Sequence, residues 1–392
     1  MTQPVIYLDN NATTRVAPEV FESMVPFLTD LYGNPSSMHD FGGNLQEYVE
    51  EARAQVAALI GAEDPSEIIF TSCGTEADNT AIASALRANP GKKHIITSKV
   101  EHPAVLNYFE YLENSGYEVT WLPVDGDGLL DADRVEAAIR DDTALCSLMW
   151  ANNETGVIFP IDQIGERLKK HGVMFHTDAV QAVGKIPIDL SRTPVDMLSL
   201  SGHKFHAPKG IGALYVRRGT MFYPYLIGGH QERGRRSGTT PVPLIAAIGT
   251  AAKLAIASME SEATSVSALR DRLEEGIRAT VPGIVFVGDR KNRLPNTANI
   301  SFEYVEGEAI LLMLSEENIA ASSGSACSSD SLEPSHVLRA MGLPFELCHA
   351  SIRFSLSRYT TVSDIDIAIE KLPGVIANLR NISPFTPPEM RG

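Results

Sequence analysis

Residues 195–216 read V-D-M-L-S-L-S-G-H-K-F-H-A-P-K-G-I-G-A-L-Y-V: an apolar run, a lysine at 204, a Gly-rich turn and a second apolar run. Two short apolar runs bounded by turn residues predict buried strands near 195–200 and 211–216, with Lys204 just beyond the first. Most single lysines are surface ammoniums. Here Ser201, Gly202 and His203 stand beside the amine and apolar strands flank it, which points to a functional group, because burial lowers a lysine's pKa and the neutral amine condenses with a carbonyl.

Working outward, helical spacing from about Gly43 to Ile60 is followed by the strand-like run E-I-I-F-T at 67–71. Helical patterns near 76–87, 103–115, 131–140 and 161–171 then alternate with apolar runs near 94–97, 117–122, 144–150 and 172–176. Strands alternating with helices predict right-handed βαβ units, hence an α/β fold with a mainly parallel sheet and ligands at the strands' carboxyl ends. From Pro241 to Met259 the pattern becomes an Ala-rich helix, followed by a helix near 265–280, a strand at 298–303, a helix at 307–316, a strand at 352–355 and a helix at 363–380, read as a second, α+β unit. The tail from Ser383 is Pro-rich.

The whole chain has 392 residues, 44% hydrophobic and 21% charged, which excludes a disordered, collagenous or coiled-coil protein. Acidic residues number 49 against 33 basic ones, giving a net charge of −16, and this disfavours nonspecific contact with nucleic acid or anionic membrane. No uninterrupted apolar stretch approaches the roughly 18 residues of a membrane span, and Met1–Asp9 lacks the basic and apolar regions of a secretion signal, so a cytoplasmic protein is expected. Cysteines at 73, 146, 327 and 348 are too scattered for a disulfide framework and form no C-x-x-C zinc pair.

Two further segments carry chemistry. In G-V-M-F-H-T-D-A-V-Q (172–181) a strand is expected over Val173–Phe175, ending at His176, Thr177 and Asp178. Such an Asp could simply cap a turn; were Lys204 to hold pyridoxal phosphate, it is the partner that keeps the ring nitrogen protonated, with Gln181 within reach of the ring's phenolic oxygen. In F-T-S-C-G-T-E-A-D-N-T-A-I (70–82) a strand leads through Gly74 into a helix with Thr75 and Asp78 at capping-box spacing, and a helix amino terminus suits a phosphate. Neither a P-loop nor a dinucleotide fingerprint is present. His203 and His206 are three apart, but no further ligand completes a metal set, so no stable metal is expected.

Taken together, S-L-S-G-H-K, H-T-D-A-V-Q, T-S-C-G-T-E, E-H-P-A-V, N-N-E-T-G and S-S-G-S-A-C-S-S, with Y-L-D-N-N-A-T-T near the start, G-N-P-S-S-M-H around Asn34, G-G-H-Q-E-R-G-R-R-S-G-T from Gly228 and R-L-P-N-T-A-N-I-S-F from Arg293, resemble the class V, fold-type I pyridoxal-phosphate enzymes, specifically cysteine desulfurases. The resemblance spans nearly the whole chain. It implies an aspartate-aminotransferase-like fold with a large domain at 15–258 and a small domain made of 1–14 and 259–392. It makes Lys204 the lysine joined to the cofactor, Asp178 the pyridinium partner, Gln181 the contact to the ring hydroxyl and His102 a stacking and proton-transfer residue. Phosphate contacts are implied for Gly74, Thr75, Ser201 and His203, and for Thr239 reaching from a second subunit of a homodimer. The basic trio Arg233, Arg235 and Arg236 beside Thr239 would then border the neighbouring subunit's cofactor. Asn153 and Arg353, with help from Asn34, would hold the substrate carboxylate.

The segment A-A-S-S-G-S-A-C-S-S-D-S (320–331) is small, polar and aperiodic, so a mobile loop exposing Cys327 is expected, whereas Cys146 and Cys348 read as buried structural thiols and Cys73 is ambiguous. Cys327 is thereby the expected nucleophile that takes sulfur from L-cysteine as a persulfide, leaving L-alanine. By resemblance, the sulfur passes to an iron–sulfur scaffold protein, most similarly to the nitrogen-fixation type that serves nitrogenase, and Cys327 could ligate the scaffold's cluster transiently. The rival readings are another class V enzyme, a selenocysteine lyase or aminotransferase, and a non-catalytic sulfur carrier of the same fold.

Overall fold

The apolar runs on either side of Lys204 become strands Met197–Ser201 and Gly212–Val216, every residue of which is buried. They lie inside a seven-stranded sheet ordered Ile68–Thr71, Gly212–Val216, Met197–Ser201, Met174–Asp178, Thr143–Met149, His94–Ser98, Glu118–Leu122. Only Gly212–Val216 runs antiparallel to its neighbours; the pairs from Met197–Ser201 across to Glu118–Leu122 are parallel. The computed structural model describes residues 4–323 and 333–391. Cys327 and most of the loop expected at 320–331 lie outside the described residues.

The strands read as apolar because both faces are covered, with one core cluster including Phe70, Ile96, Leu148, Phe175 and Leu200 and another including Ile69, Ile95, Leu145, Met197 and Leu214. Successive residues of one strand thus feed opposite cores. The third cluster forms around an antiparallel sheet of Ile284–Phe286, Thr297–Phe302 and Ser351–Ser355, packed by helices Gly307–Glu316 and Val362–Ile382. Ile6–Tyr7 pairs in parallel with Ile319–Ala320, so the chain's beginning is sewn into this third unit.

Three sequence expectations are corrected. The helices expected at 241–259 and 265–280 are one helix, Val242–Thr280; the polar stretch between them, M-E-S-E-A-T-S, consists of residues that tolerate helix, and no Gly or Pro interrupts it. This helix is long and apolar enough to cross a membrane by length and composition, although no uninterrupted apolar run of that length occurs in it, and it packs on helices Gln46–Leu59 and Pro18–Thr29. The helix expected at 131–140 stops at Ala137. The strand expected over Val173–Phe175 starts one residue later and includes the His176, Thr177 and Asp178 of its expected end, with the His176 ring bonded across the sheet to Ser147 and Ser199.

Candidate active site

Five strand ends converge on one cleft of about 220 Å³. Strand Ile68–Thr71 delivers Gly74 and Thr75, His94–Ser98 delivers His102, Thr143–Met149 delivers Asn153, Met174–Asp178 delivers Asp178 and Gln181, and Met197–Ser201 delivers Ser201, His203 and Lys204. All of these line the same cleft, at the carboxyl ends where an α/β sheet binds its ligands.

Helix Gly74–Ala88 begins directly at the cleft, with Cys73 as its N-cap and no side chain capping it. The expected Thr75–Asp78 capping box is absent. Glu76 instead accepts from Ser72 N at 2.8 Å and is clamped by Arg236 at 2.8 and 3.1 Å, while Asp78 turns into the core, 1% exposed. A Cβ on Gly74 would stand 2.8 Å from Val180 Cγ2, so glycine lets the turn press against the segment that follows strand Met174–Asp178.

Lys204 Nζ donates to the carbonyls of Asn11 at 2.6 Å and Ala12 at 2.8 Å, contributed by the segment preceding the first helix. Asp178 accepts from Val180 N at 2.9 Å, and burial pushes its carboxyl up to about 6, against the pull of that bond and of the Lys204 charge. Behind it sit two more buried acids. Asp78 is held well above the carboxylate range by burial and by the neighbouring Asp178 charge, and burial pushes Glu101 up to about 8 despite bonds from Ser98 Oγ at 2.6 Å and Met149 N at 3.1 Å. His176, 3.6 Å from Asp78, is pushed down to about 3 by burial and is therefore neutral.

His102 is the N-cap of helix Pro103–Asn114. Its Nδ1 accepts from Ala104 N at 3.1 Å, which leaves the proton on Nε2 of the neutral ring, and burial, then the Lys204 charge, lowers its pKa to about 4. Burial, then Lys204, brings His203 to about 4 as well.

The opposite rim is assembled from distant segments. Arg353 is 2% exposed, donates to Asp9 Oδ1 at 2.7 Å and to the Asn153 carbonyl at 2.9 Å, and its Nε has no hydrogen-bond partner among the described residues. The same strand holds Ser322 through a backbone pair at 2.6 and 3.2 Å, and Ser335 Oγ donates to Glu154 beside Asn153 at 2.5 Å. Both chain ends flanking residues 324–332 are thus tied to this rim.

Asn34 and Thr239 are exposed and do not line the cleft of their own chain. The Arg trio turns onto its own chain: Arg233 pairs with Glu50, Arg235 donates to Ser66 O, and Arg236 braces the start of helix Gly74–Ala88 through Glu76. Cys146 and Cys348 are buried, and Cys73 is half-buried in the cleft wall. Sequence reasoning missed Asn11, Ala12, Asp9, Glu101 and Lys185. The first three lie in the quoted Y-L-D-N-N-A-T-T motif and Glu101 opens the quoted E-H-P-A-V, and those two motifs were the available signal.

The residues fit pyridoxal phosphate. Ser201 Oγ is buried without a hydrogen-bond partner among the described residues, and it lines the cleft together with the uncapped helix start, an amine and a strand-end carboxylate.

Comparison with known proteins agrees with this geometry. The class-V aminotransferase family model matches residues 6–367. A cysteine desulfurase of Trichormus azollae is 61% identical, over 97% of this chain and 95% of its own. The cysteine desulfurase NifS of Azotobacter vinelandii is 58% identical over 97% and 94%. Among solved structures, a NifS-like protein superposes with a TM-score of 0.90 at 37% identity, covering 96% of this chain and all of that one.

Proposed function

From the premise that the chain belongs to the class-V aminotransferase family and is a pyridoxal-phosphate-dependent cysteine desulfurase acting on L-cysteine, we propose the following division of labour among its residues. Lys204 carries the cofactor. Gly74, Thr75, Ser201 and His203 hold its phosphate, Asp178 faces its ring nitrogen, Gln181 its phenolic oxygen, and His102 packs on its face. When bound, pyridoxal phosphate supplies an electrophilic aldehyde and a conjugated ring able to absorb charge from the substrate's α-carbon.

Asp178 keeps its charge beside the ring because Asp78 and Glu101, raised by burial, hold their protons, so the wall does not concentrate three negative charges. Lys204, once released, takes the α-proton, and its carbonyl partners on Asn11 and Ala12 orient it. His102 offers its Nε2–H to the cleft. Asn153 and Arg353 clamp the substrate carboxylate, Arg353 exchanging part of its bonding to Asp9 for the substrate; Asn34, which lies outside the cleft of its own chain, is the less direct carboxylate contact of this reading.

Cys327 then attacks the substrate sulfur as thiolate. A sulfur–sulfur bond forms, the carbon–sulfur bond breaks with its electron pair going to carbon, and protonation of that carbon together with return of a proton from Lys204 to the α-carbon yields L-alanine and a Cys327 persulfide. The attachment of Ser322 and Ser335 to the carboxylate rim supports delivery of Cys327 to this cleft. The persulfide sulfur passes to an iron–sulfur scaffold protein serving nitrogenase maturation, a reading supported by the NifS relative, and Cys327 could bind the scaffold's cluster in passing.

The reading includes a cytoplasmic homodimer in which Thr239 reaches the partner's phosphate. Its exposure outside its own cleft supports this, as do Tyr223, Leu226 and Ile227, which leave apolar surface uncovered on the preceding loop. We also assign residues 15–258 to a large domain, and 1–14 with 259–392 to a small one. The observation carrying the whole reading is the convergence of Lys204, Asp178 and Gln181 with the uncapped helix start at Gly74. Purified protein incubated with L-cysteine should release sulfide and alanine together. Lys204→Ala and Cys327→Ser should each abolish it, and equal activity in Cys327→Ser would favour a selenocysteine lyase or aminotransferase.

A further inference from the structure

A second, small cavity of about 40 Å³ shares Lys204 with the cleft and has Lys185 in its wall. The backbone forces Lys185 there. Gly184 has φ +78° and its Cβ position lies 2.7 Å from Phe205 Cβ, so only glycine lets the chain press against the residue that follows Lys204. The Lys185 amine turns inward and donates to Gln181 Oε1 at 2.8 Å, with a longer approach to Asn11 Oδ1 at 3.5 Å. At the other end of the same amide, Gln181 Nε2 donates to the Asn11 carbonyl at 3.0 Å.

A glutamine amide has two ends of nearly equal shape and opposite hydrogen-bonding character, so its orientation is decided by its neighbours. A backbone carbonyl can only accept. The amine opposite it donates. Together they allow one orientation, in which the carbonyl oxygen is tied back to Lys185 and the second N–H of Gln181 is left for the cleft, which Gln181 lines.

We propose that Lys185 is a positioning residue of this site: with the Asn11 carbonyl it sorts the ends of the Gln181 amide, so that Gln181 presents an N–H donor, not an acceptor, to the cofactor's phenolic oxygen. This rests on the reading of Lys204 as the cofactor-bearing lysine. Burial, then the Lys204 and Arg353 charges, hold the Lys185 amine well below the ordinary lysine range; a neutral amine can accept as well as donate, so the Asn11 carbonyl excludes the flipped amide and the Lys185 N–H anchors Oε1 in the remaining orientation. The titratable and charged groups around this amine and its cavity are Lys204, His203, His206, Arg353, Arg358 and Glu262.

The test is a pH titration of the visible absorbance of the cofactor-loaded protein in a double-mutant cycle of Lys185→Met and Gln181→Leu. Loss of a donor makes the phenolic oxygen more basic, so Lys185→Met should raise the half-titration pH by about one unit, a tenfold change in the proton equilibrium. Gln181→Leu should do the same, and the double variant should move no further than Gln181→Leu alone. Lys185→Arg, which retains a donor, should titrate like the parent. Equal shifts from Lys185→Met in both backgrounds, or no shift in either, would overturn the proposal. Should Lys185→Met fail to fold, Lys185→Leu, which also lacks a donor, gives the same cycle. A parent protein that gains no visible band with the cofactor would instead refute the underlying reading of Lys204.

Discussion

The wall built by strand Met174–Asp178 and helix Gly74–Ala88 differs from the rim built by residues 9–14 and strand Ser351–Ser355 in where its partners come from. In the wall, His176, Asp178 and Asp78 hang from regular elements of one sheet layer, and strand pairing across Ser147 and Ser199 sets their spacing. In the rim, Arg353 meets Asp9 across 344 residues of chain, and Asn11 gathers bonds from Lys204, Gln181 and Asn296. A wall made by sheet register holds buried acids and a neutral histidine rigidly enough to fix their protonation. The rim is held by long-range bonds, among them the Arg353–Asp9 pair that the proposed substrate clamp would partly exchange.

The largest effect expected belongs to the group common to both regions. Lys204→Ala should lower alanine production by on the order of 10³-fold or more, measured under saturating L-cysteine, because it removes both the cofactor attachment and the proton acceptor. Next, Arg353→Ala should reduce kcat/KM for L-cysteine by on the order of 100-fold, mostly through KM, since charge-assisted bonds to the carboxylate are lost. A fall confined to kcat would move Arg353 out of the substrate clamp and erase the proposed contrast between rim and wall.

The smallest effect concerns stability. Burial lowers His102 and His203 to about 4 and His176 to about 3, so between the ordinary histidine value and these values the unfolded chain binds more protons than the folded one. The share of stability that these histidines contribute is therefore present above about pH 6.5 and is lost as pH falls through that range toward 4 and below, while the raised carboxyls of Asp178 and Glu101 act in the opposite direction. His176→Gln should flatten the fall of melting temperature over this interval. An unchanged slope would mean that the wall does not hold His176 neutral.

Much of the wall was legible in the sequence because its strands are short apolar runs and its functional residues follow them directly: Gly74 after Thr71, Gln181 after Asp178, Lys204 after Ser201. Periodicity works where burial is regular. It failed at Asp78, whose spacing from Thr75 imitates a cap while the helix starts one residue before Thr75 and turns Asp78 inward. It failed again at residues 4–14, where the two-residue strand Ile6–Tyr7 is too short for a pattern and the polar run after it is used for backbone carbonyls. Lys185 looked like any lysine; only the approach of Gly184 to Phe205 shows which way it points. Arg353 was identified by resemblance, but its pairing with Asp9 depends on two segments meeting that nothing local in either one specifies.

The most direct test of the central claim is the mass of the peptide containing Cys327 after the cofactor-loaded protein meets L-cysteine without reductant. The account predicts a gain of one sulfur atom at Cys327 accompanied by an equivalent of alanine, and neither in Lys204→Ala. Sulfur found on Cys73 with Cys327 unmodified, or alanine formed at the full rate by Cys327→Ser, would contradict it.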